Sequence, residues 1–396
     1  MSAFDMTAGQ PAPVPVPGAP LEAKPYRAIA VIGGGAWGTA LSVVASRAGR
    51  HTNLWARRRD VVDDINQNRR NSRYLGDVPM PERLTATDDF HAACAGAEAV
   101  LLVTPSGTVR EMAERLNMVL APKVPVVVCA KGIEDGTGFL MADVVADAAP
   151  GRPVGALSGP SFADETARGD PTAVTVASEF HLDRYADLTS EHQARAEQLA
   201  ARMAVSLTTE SFRPYVSNDL TGVEVGGAVK NVLAIACGMA TGAGFAANTR
   251  AALITRGLDE MKALAEALGG RRETVTGLSG IGDLTLTCSN TSSRNFSYGV
   301  EMGEGRRGDE IFGGQKKVVE GVRNSIAATA LARRKGVEMP ICETVRAIVH
   351  DGQPLGEAFA ALWSRPLEAE PQALKLTLDH PSDDAAIQRF ADAWEE

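Results

Sequence analysis

Residues 223–240 read VEVGGAVKNVLAIACGMA and hold a single lysine, Lys230, among apolar and small residues. A helix that is hydrophobic all round belongs in a core. A lysine inside it loses hydration, which disfavours the ammonium and lowers its pKa. Such a lysine can exchange protons near neutral pH. Its neighbours one turn away are Gly226, Gly227, Leu233 and Ala234. Three of these four are very small, so the face around the ammonium is expected to be cleared for an approaching group. Thr221-x-x-Glu224 has the form of a capping box and predicts the helix start. Two plainer accounts compete. Lys230 could snorkel out of a core helix. The run is also just long enough for a membrane span, although Glu224, Lys230 and the glycines oppose one.

A second constellation is polar. Gly280-Ile281-Gly282-Asp283 is followed by Thr287-Cys288-Ser289-Asn290-Thr291-Ser292 and then by Ser293-Arg294-Asn295. A hydroxyl, a guanidinium and an amide in succession suit a phosphate. The plain alternative is a solvated loop between helices. The third is Gly33-Gly34-Gly35-Ala36-Trp37-Gly38, which matches G-x-G-x-x-G. It follows an apolar run at 28–32 and precedes a helical pattern at 39–48 and a second strand at 52–55. That order is the context a dinucleotide fingerprint requires. Gly33 permits the tight turn, Gly35 lets a pyrophosphate approach and Gly38 lets the helix pack on the strand.

The second strand ends in Trp55-Ala56-Arg57-Arg58-Arg59, where an NAD site often carries an acid. Arg57 and Arg58 can pair with a 2′-phosphate, which favours NADP, although Asp60 is close enough to blur that reading.

These residues need elements to position them. Apolar runs at 100–103, 125–129, 154–157, 172–177 and 205–209 read as further strands, with a helix at about 191–203. Strands alternating with helices imply a doubly wound sheet, whose ligands lie beyond the carboxyl ends of the strands. Lys131 and the turn Ser158-Gly159-Pro160-Ser161 stand at such ends. From Thr221 to about Leu362 the signals are helical, including a long helix at 246–268 and another opening at Val318-Val319-Glu320-Gly321.

The fold class is therefore an α/β Rossmann-type N-terminal domain plus an all-α C-terminal domain. The expected division is a disordered proline-rich tail (1–26), the dinucleotide-binding domain (27–215), a helical substrate domain (216–365) and an extension (366–396). Ile387, Phe390 and Trp394 predict a short docking helix in that extension.

Composition narrows the class. The formal net charge of −9 predicts no general affinity for nucleic acid or an anionic membrane. An anionic substrate then needs a locally basic site. Five widely spaced cysteines without C-x-x-C read as reduced packing residues of a cytoplasmic protein. The six histidines show no metal-ligand spacing, so no metal is expected. The first 25 residues lack the basic and apolar regions of a signal peptide.

Together the motifs resemble the NAD(P)-dependent glycerol-3-phosphate dehydrogenases over about residues 27–365. They are Gly33-x-Gly35-x-Trp37-Gly38-Thr39-Ala40, Ala130-Lys131-Gly132 and Ser158-Gly159-Pro160-Ser161-Phe162-Ala163. They continue with Gly227-Ala228-Val229-Lys230-Asn231, Gly282-Asp283-Leu284, Ser293-Arg294-Asn295 and Val319-Glu320-Gly321. The resemblance implies interconversion of sn-glycerol 3-phosphate and dihydroxyacetone phosphate with NADP or NAD, supplying glycerol 3-phosphate for phospholipid synthesis. It implies Lys230 as acid/base, assisted by Asp283. Substrate contacts would come from Lys131, Gly159, Ser161, Lys230, Asp283, Ser293, Arg294 and Asn295. Cofactor contacts would come from Gly33, Gly35, Ala36, Trp37, Gly38, Arg57, Arg58, Lys131, Ala163, Arg294, Val318 and Glu320. Ala36 departs from the serine often expected there and loses a hydroxyl contact to the pyrophosphate. The partner expected is a small phosphorylated substrate, with no nucleic acid and no membrane insertion; the sequence leaves the choice between a monomer and a homodimer open.

Two rivals stand beside this reading: a hydroxyacid dehydrogenase of the same architecture, and a nucleotide-binding sensor without catalysis. The run Ser293-Arg294-Asn295 disfavours the first. The buried lysine disfavours the second.

Overall fold

A computed structural model describes residues 23–178, 190–315, 317–368 and 377–378. The N-terminal half alternates strands and helices: β1 (Ala28–Ile32), α1 (Ala36–Arg47), β2 (His51–Trp55), α2 (Arg59–Asn68), α3 (Ser72–Leu75), β3 (Leu84–Thr87), α4 (Phe90–Cys94), β4 (Ala99–Leu102) and α5 (Val109–Val119). It continues with β5 (Val126–Val128), α6 (Met141–Ala148), β6 (Val154–Ser158), α7 (Ala163–Arg168), β7 (Thr172–Ser178), α8 (Ser190–Leu207) and β8 (Phe212–Ser217). The eight strands form one sheet in the order β3-β2-β1-β4-β5-β6-β7-β8. The first six are parallel; β7 is antiparallel to β6, and β8 is parallel to β7. Strands β1, β4 and β5 are apolar and buried on both faces, as a sheet covered by helices on both sides demands.

The second half is helical: α9 (Leu220–Gly242), α10 (Ala247–Ala267), α11 (Arg272–Val275), a π-turn (Leu278–Gly282), α12 (Asp283–Cys288), α13 (Arg294–Gly303), a 3₁₀ segment (Gly308–Gly314), α14 (Glu320–Lys335), α15 (Pro340–His350) and α16 (Leu355–Trp363). Two-residue strands at Leu367–Glu368 and Thr377–Leu378 pair beyond it. Helix α9 is the axis of this half, and α10, α12, α13, α14 and α15 all pack on it. It is long and apolar enough to cross a membrane, yet it is buried throughout inside the protein.

Three expectations need correction. The helix of Lys230 does not start at a Thr221–Glu224 capping box. Asp219 caps it, its carboxylate accepting from Gly222 N at 2.9 Å, so Thr221 already lies inside the first turn. Glu224 instead accepts from the backbone N–H of Ala142 at 2.8 Å, at the N-terminus of α6. A buried carboxylate there satisfies an orphan helix donor and ties α9 to the sheet half.

Residues 205–207 end α8 rather than open a strand. Leu199, Met203 and Leu207 are buried four residues apart, a helical spacing. The Ser206 and Thr208 hydroxyls continue that pattern by donating to the carbonyls of Arg202 and Ala204. The missing strand is β8, whose Pro214 suits an edge position. Strand β3 carries little apolar signal of its own, because only Leu84 and Ala86 turn inward.

The glycine face of α9, finally, is filled rather than open. A Cβ on Gly226 would lie 2.6 Å from the Ser279 carbonyl oxygen, and one on Gly227 would lie 3.1 Å from Lys131 Cγ. The small residues admit the π-turn and the Lys131 stem. The expected docking helix with Ile387, Phe390 and Trp394 lies outside the described residues, as does the tail before residue 23.

Candidate active site

Because β1, β2, β4, β5 and β6 run parallel, the turns that follow them gather along one edge of the sheet. At β1, Gly33 has φ +127°, and a Cβ there would lie 2.8 Å from the Val103 carbonyl oxygen. A Cβ on Gly38 would collide with the Gly33 carbonyl, so α1 packs directly on the turn. Gly35, by contrast, faces open space. It precedes the N-terminus of α1, which carries no side-chain cap, so its first N–H groups are left for a ligand. Thr104, at the end of β4, keeps a buried hydroxyl without a partner beneath this turn. An open glycine, an uncapped helix start and an orphaned hydroxyl fit a dinucleotide pyrophosphate. Ala36 and Trp37 form the first turn of α1 and pack on the sheet cluster with Ala163, the first residue of α7.

The arginines after β2 differ from one another. Arg58 is held by Asp60 at 2.8 Å, and Arg59 pairs with Asp63 and Asp88. Arg57 is exposed and has no acidic partner among the described residues. The sequence left Asp60 as a competitor for the cofactor; the structure commits it to Arg58.

The centre of the site lies where the turns after β5 and β6 meet α9 and α12. Lys230 Nζ donates to Asp283 Oδ1 at 2.6 Å and to Thr287 Oγ1 at 2.7 Å. Lys131 Nζ donates to Asp283 Oδ2 at 2.6 Å and to the Gly159 carbonyl at 3.3 Å. Ser161 Oγ donates to that same carbonyl at 3.0 Å. One carboxylate thus holds two ammonium groups, and Lys230 does not snorkel out; it is 6% exposed.

Burial pushes Lys230 down to about 8; Asp283 opposes the fall and Lys131 adds to it. For Asp283 burial acts upward, but the two lysines outweigh it and leave the carboxyl below its ordinary value. Thr287 was missed in the sequence. Its signal was the i+4 spacing from Asp283, which puts both on one face of α12.

The segment Ser293-Arg294-Asn295 starts α13. Ser293 caps that helix, accepting from Phe296 N at 3.3 Å. Arg294 is exposed and forms no ion pair among the described residues. Asn295 donates to Asn231 Oδ1 at 3.0 Å and accepts from Gly321 N at 2.9 Å. It therefore joins α13 to the residue after Lys230 and to the start of α14. Val318 is exposed just before α14. Glu320 opens that helix; burial raises its carboxyl, opposed by Arg294, Lys131 and Lys230. Lys131, Gly159, Ser161, Lys230 and Asp283 are thus in direct contact, with Arg294 and Glu320 at the rim. Arg57 and Arg58 stand apart at the end of β2.

Two family models cover most of the described chain. Residues 28–182 match the NAD-dependent glycerol-3-phosphate dehydrogenase N-terminus and residues 219–360 match its C-terminus. The chain belongs to the NAD-dependent glycerol-3-phosphate dehydrogenase family. It is 48% identical to the glycerol-3-phosphate dehydrogenase [NAD(P)+] of Parvibaculum lavamentivorans, over 87% of this chain and 98% of that protein. The enzyme of that name from Rhodospirillum rubrum is 46% identical, over 86% and 93%. A crystal structure of glycerol-3-phosphate dehydrogenase from Coxiella burnetii superposes with a TM-score of 0.76 at 38% identity, covering 86% of this chain and 99% of that one. D-mandelate dehydrogenase shares the fold alone, at 13% identity and a TM-score of 0.51.

Proposed function

We infer that this member of the family interconverts sn-glycerol 3-phosphate and dihydroxyacetone phosphate, with Lys230 as the acid/base. The observation that carries the assignment of Lys230 is its buried ammonium, 2.6 Å from a carboxylate shared with a second lysine. The bound nicotinamide, from NAD or NADP, supplies or accepts the hydride. In reduction, protonated Lys230 gives its proton to the substrate oxygen and its charge stabilises the developing alkoxide. In oxidation, neutral Lys230 takes the hydroxyl proton. A group near 8 can serve both directions around neutral pH. Asp283 and Thr287 aim its Nζ, and Lys131 keeps Asp283 ionised while facing the Gly159–Ser161 turn. Arg294 at the N-terminus of α13, with the Ser293 hydroxyl and the remaining amide hydrogen of Asn295, holds the phosphate. Arg57 takes a 2′-phosphate when NADP binds. Residues 27–215 serve as the cofactor domain and 216–365 as the substrate domain, with the chemistry between them.

Replacing Lys230 with Met tests this. A long apolar side chain suits a buried helix, so the fold and the dissociation constant for NADPH should hold. Turnover should fall by roughly 10²–10⁴-fold or more, the scale of a lost general acid/base. A purified variant turning over near the normal rate sinks the assignment. The same reading includes a cytoplasmic location, supply of glycerol 3-phosphate to phospholipid synthesis and a homodimer. Sedimentation velocity tests the last, and lipid labelling after depletion tests the supply.

A further inference from the structure

Helix α14 carries a buried asparagine, Asn324, that is 1% exposed. Asparagine is a poor residue for a helix interior, and a buried amide costs free energy unless it is bonded. Its Nδ2 donates to the carbonyl of Ala228 at 3.0 Å. Ala228 lies on α9, two residues before Lys230. Its Oδ1 faces the other half of the protein: a Cβ on Gly132 would lie 3.3 Å from it and 2.7 Å from Ser106 Cβ. Gly132 thus sits in a narrow gap between Ser106, in the turn after β4, and the side chain of Asn324, with no room for a side chain of its own. It directly follows Lys131, whose stem lies on Gly227 and whose ammonium reaches Asp283.

We propose that Asn324 is a positioning residue for the proton transfer, the joint at which the helix of Lys230 meets the loop of Lys131. This rests on the assignment of proton transfer to Lys230 and extends it to a residue outside the set assigned to substrate and cofactor. The charged and titratable groups that act on Lys230 are Asp283 and Cys288 of α12 and Lys131 of the β5 loop. Glu320 of α14 feels Lys230 in turn, together with Arg294 of α13. Of these, Lys131 is the one whose chain neighbour, Gly132, packs beside the Asn324 side chain. Its charge repels a proton on Lys230, and its bond to Asp283 takes up half of that carboxylate. When the Lys131 loop drifts, the repulsion weakens and Asp283 is left to Lys230 alone. Both changes favour the ammonium, so Lys230 must lose its proton at higher pH.

The test is the pH dependence of glycerol 3-phosphate oxidation at saturating cofactor, which needs neutral Lys230. The unmutated enzyme should rise through a limb near pH 8. Asn324→Ala, which breaks the joint from α14, should move that limb up by roughly half a pH unit or more. KM measured above the limb should change by less than about threefold, because the phosphate contacts at Ser293, Arg294 and Asn295 remain. Gly132→Ala pushes on the same joint from the loop side and should move the limb the same way. It carries the test alone if Asn324→Ala does not fold. A merely structural role would lower the unfolding midpoint and leave the limb in place. A limb that is present and stays put in the folded variants overturns this inference alone. A limb missing from the unmutated enzyme overturns the assignment of Lys230, and this inference with it.

Discussion

Arg57, Arg58 and Arg59 are consecutive and all exposed, yet among the described residues only the first has no acidic partner. A guanidinium already forked onto a carboxylate must give up that pair before it can bind a phosphate. Arg57→Asp should therefore weaken NADPH by roughly 10-fold or more, the scale of one charge-assisted hydrogen bond, and NADH far less. Arg58→Ala should leave the ratio of the two constants nearly unchanged. Fluorescence titration with each reduced cofactor decides, and equal losses for both cofactors in Arg57→Asp would assign Arg57 to the scaffold. The run of three arginines was legible in the sequence as a basic point. Which of them lacks an acidic partner was not, because the start of α2 decides that Asp60 takes Arg58, and only the chain after β3 brings Asp88 to Arg59. The same holds at the centre of the site. Lys230 stood out as a charge in an apolar run. That Lys131 shares its carboxylate, 152 residues away in sequence from Asp283, depends on the packing of the two halves.

At the scale of elements, the crossing of α9 and α13 explains why a core helix spends so many positions on glycine. Gly238 and Gly242 on α9 are four residues apart, as are Gly299 and Gly303 on α13. A Cβ on Gly238 would collide with the Phe296 carbonyl oxygen, and one on Gly299 with that of Ile235. The backbones touch, which fixes where α13 begins and so where Arg294 stands. Gly238→Val should force the helices apart and cost about 1–3 kcal/mol, the usual range for overpacking. It should also raise KM for dihydroxyacetone phosphate, since the start of α13 moves with the helix. Urea unfolding and steady-state kinetics read the two effects separately. Lost stability with an unchanged KM would mean that the crossing does not position Arg294. The apolar run announced a buried helix, and its glycines argued against a membrane span. The matching pair in SYGVEMG was an available signal for the partner. Which helix it meets is a long-range property that periodicity within one segment does not report.

The whole molecule sets charge against charge. A chain of net charge −9 brings Lys131, Lys230 and Arg294 to one site, with Asp283 shared between the lysines and Glu320 raised toward its neutral form. The doubly wound sheet whose strand ends gather the turns was legible from β1, β4, β5 and β6, whose apolar runs are nearly unbroken; the order of the strands was not. The edges were not, since β3 and β8 are short or carry proline, and Val205 at the end of α8 runs into Thr208-Thr209, a β-branched pattern that imitates a strand. None of those misreadings touches the rim where Arg294 stands exposed at the start of α13.

A guanidinium there can grip a phosphate bidentately, whereas an ammonium offers a point charge. Arg294→Lys should keep the charge and lose the geometry, raising KM for dihydroxyacetone phosphate and lowering kcat, because a misplaced phosphate misplaces the reacting carbon. Arg294→Ala should cost more, about 2–4 kcal/mol in kcat/KM, on the scale of a lost charge-assisted pair. With dihydroxyacetone, which has no phosphate, both penalties should shrink toward nothing. If each variant loses the same factor on both substrates, Arg294 does not hold the phosphate, and the N-terminus of α13 is not the end of the site that the substrate's charge selects.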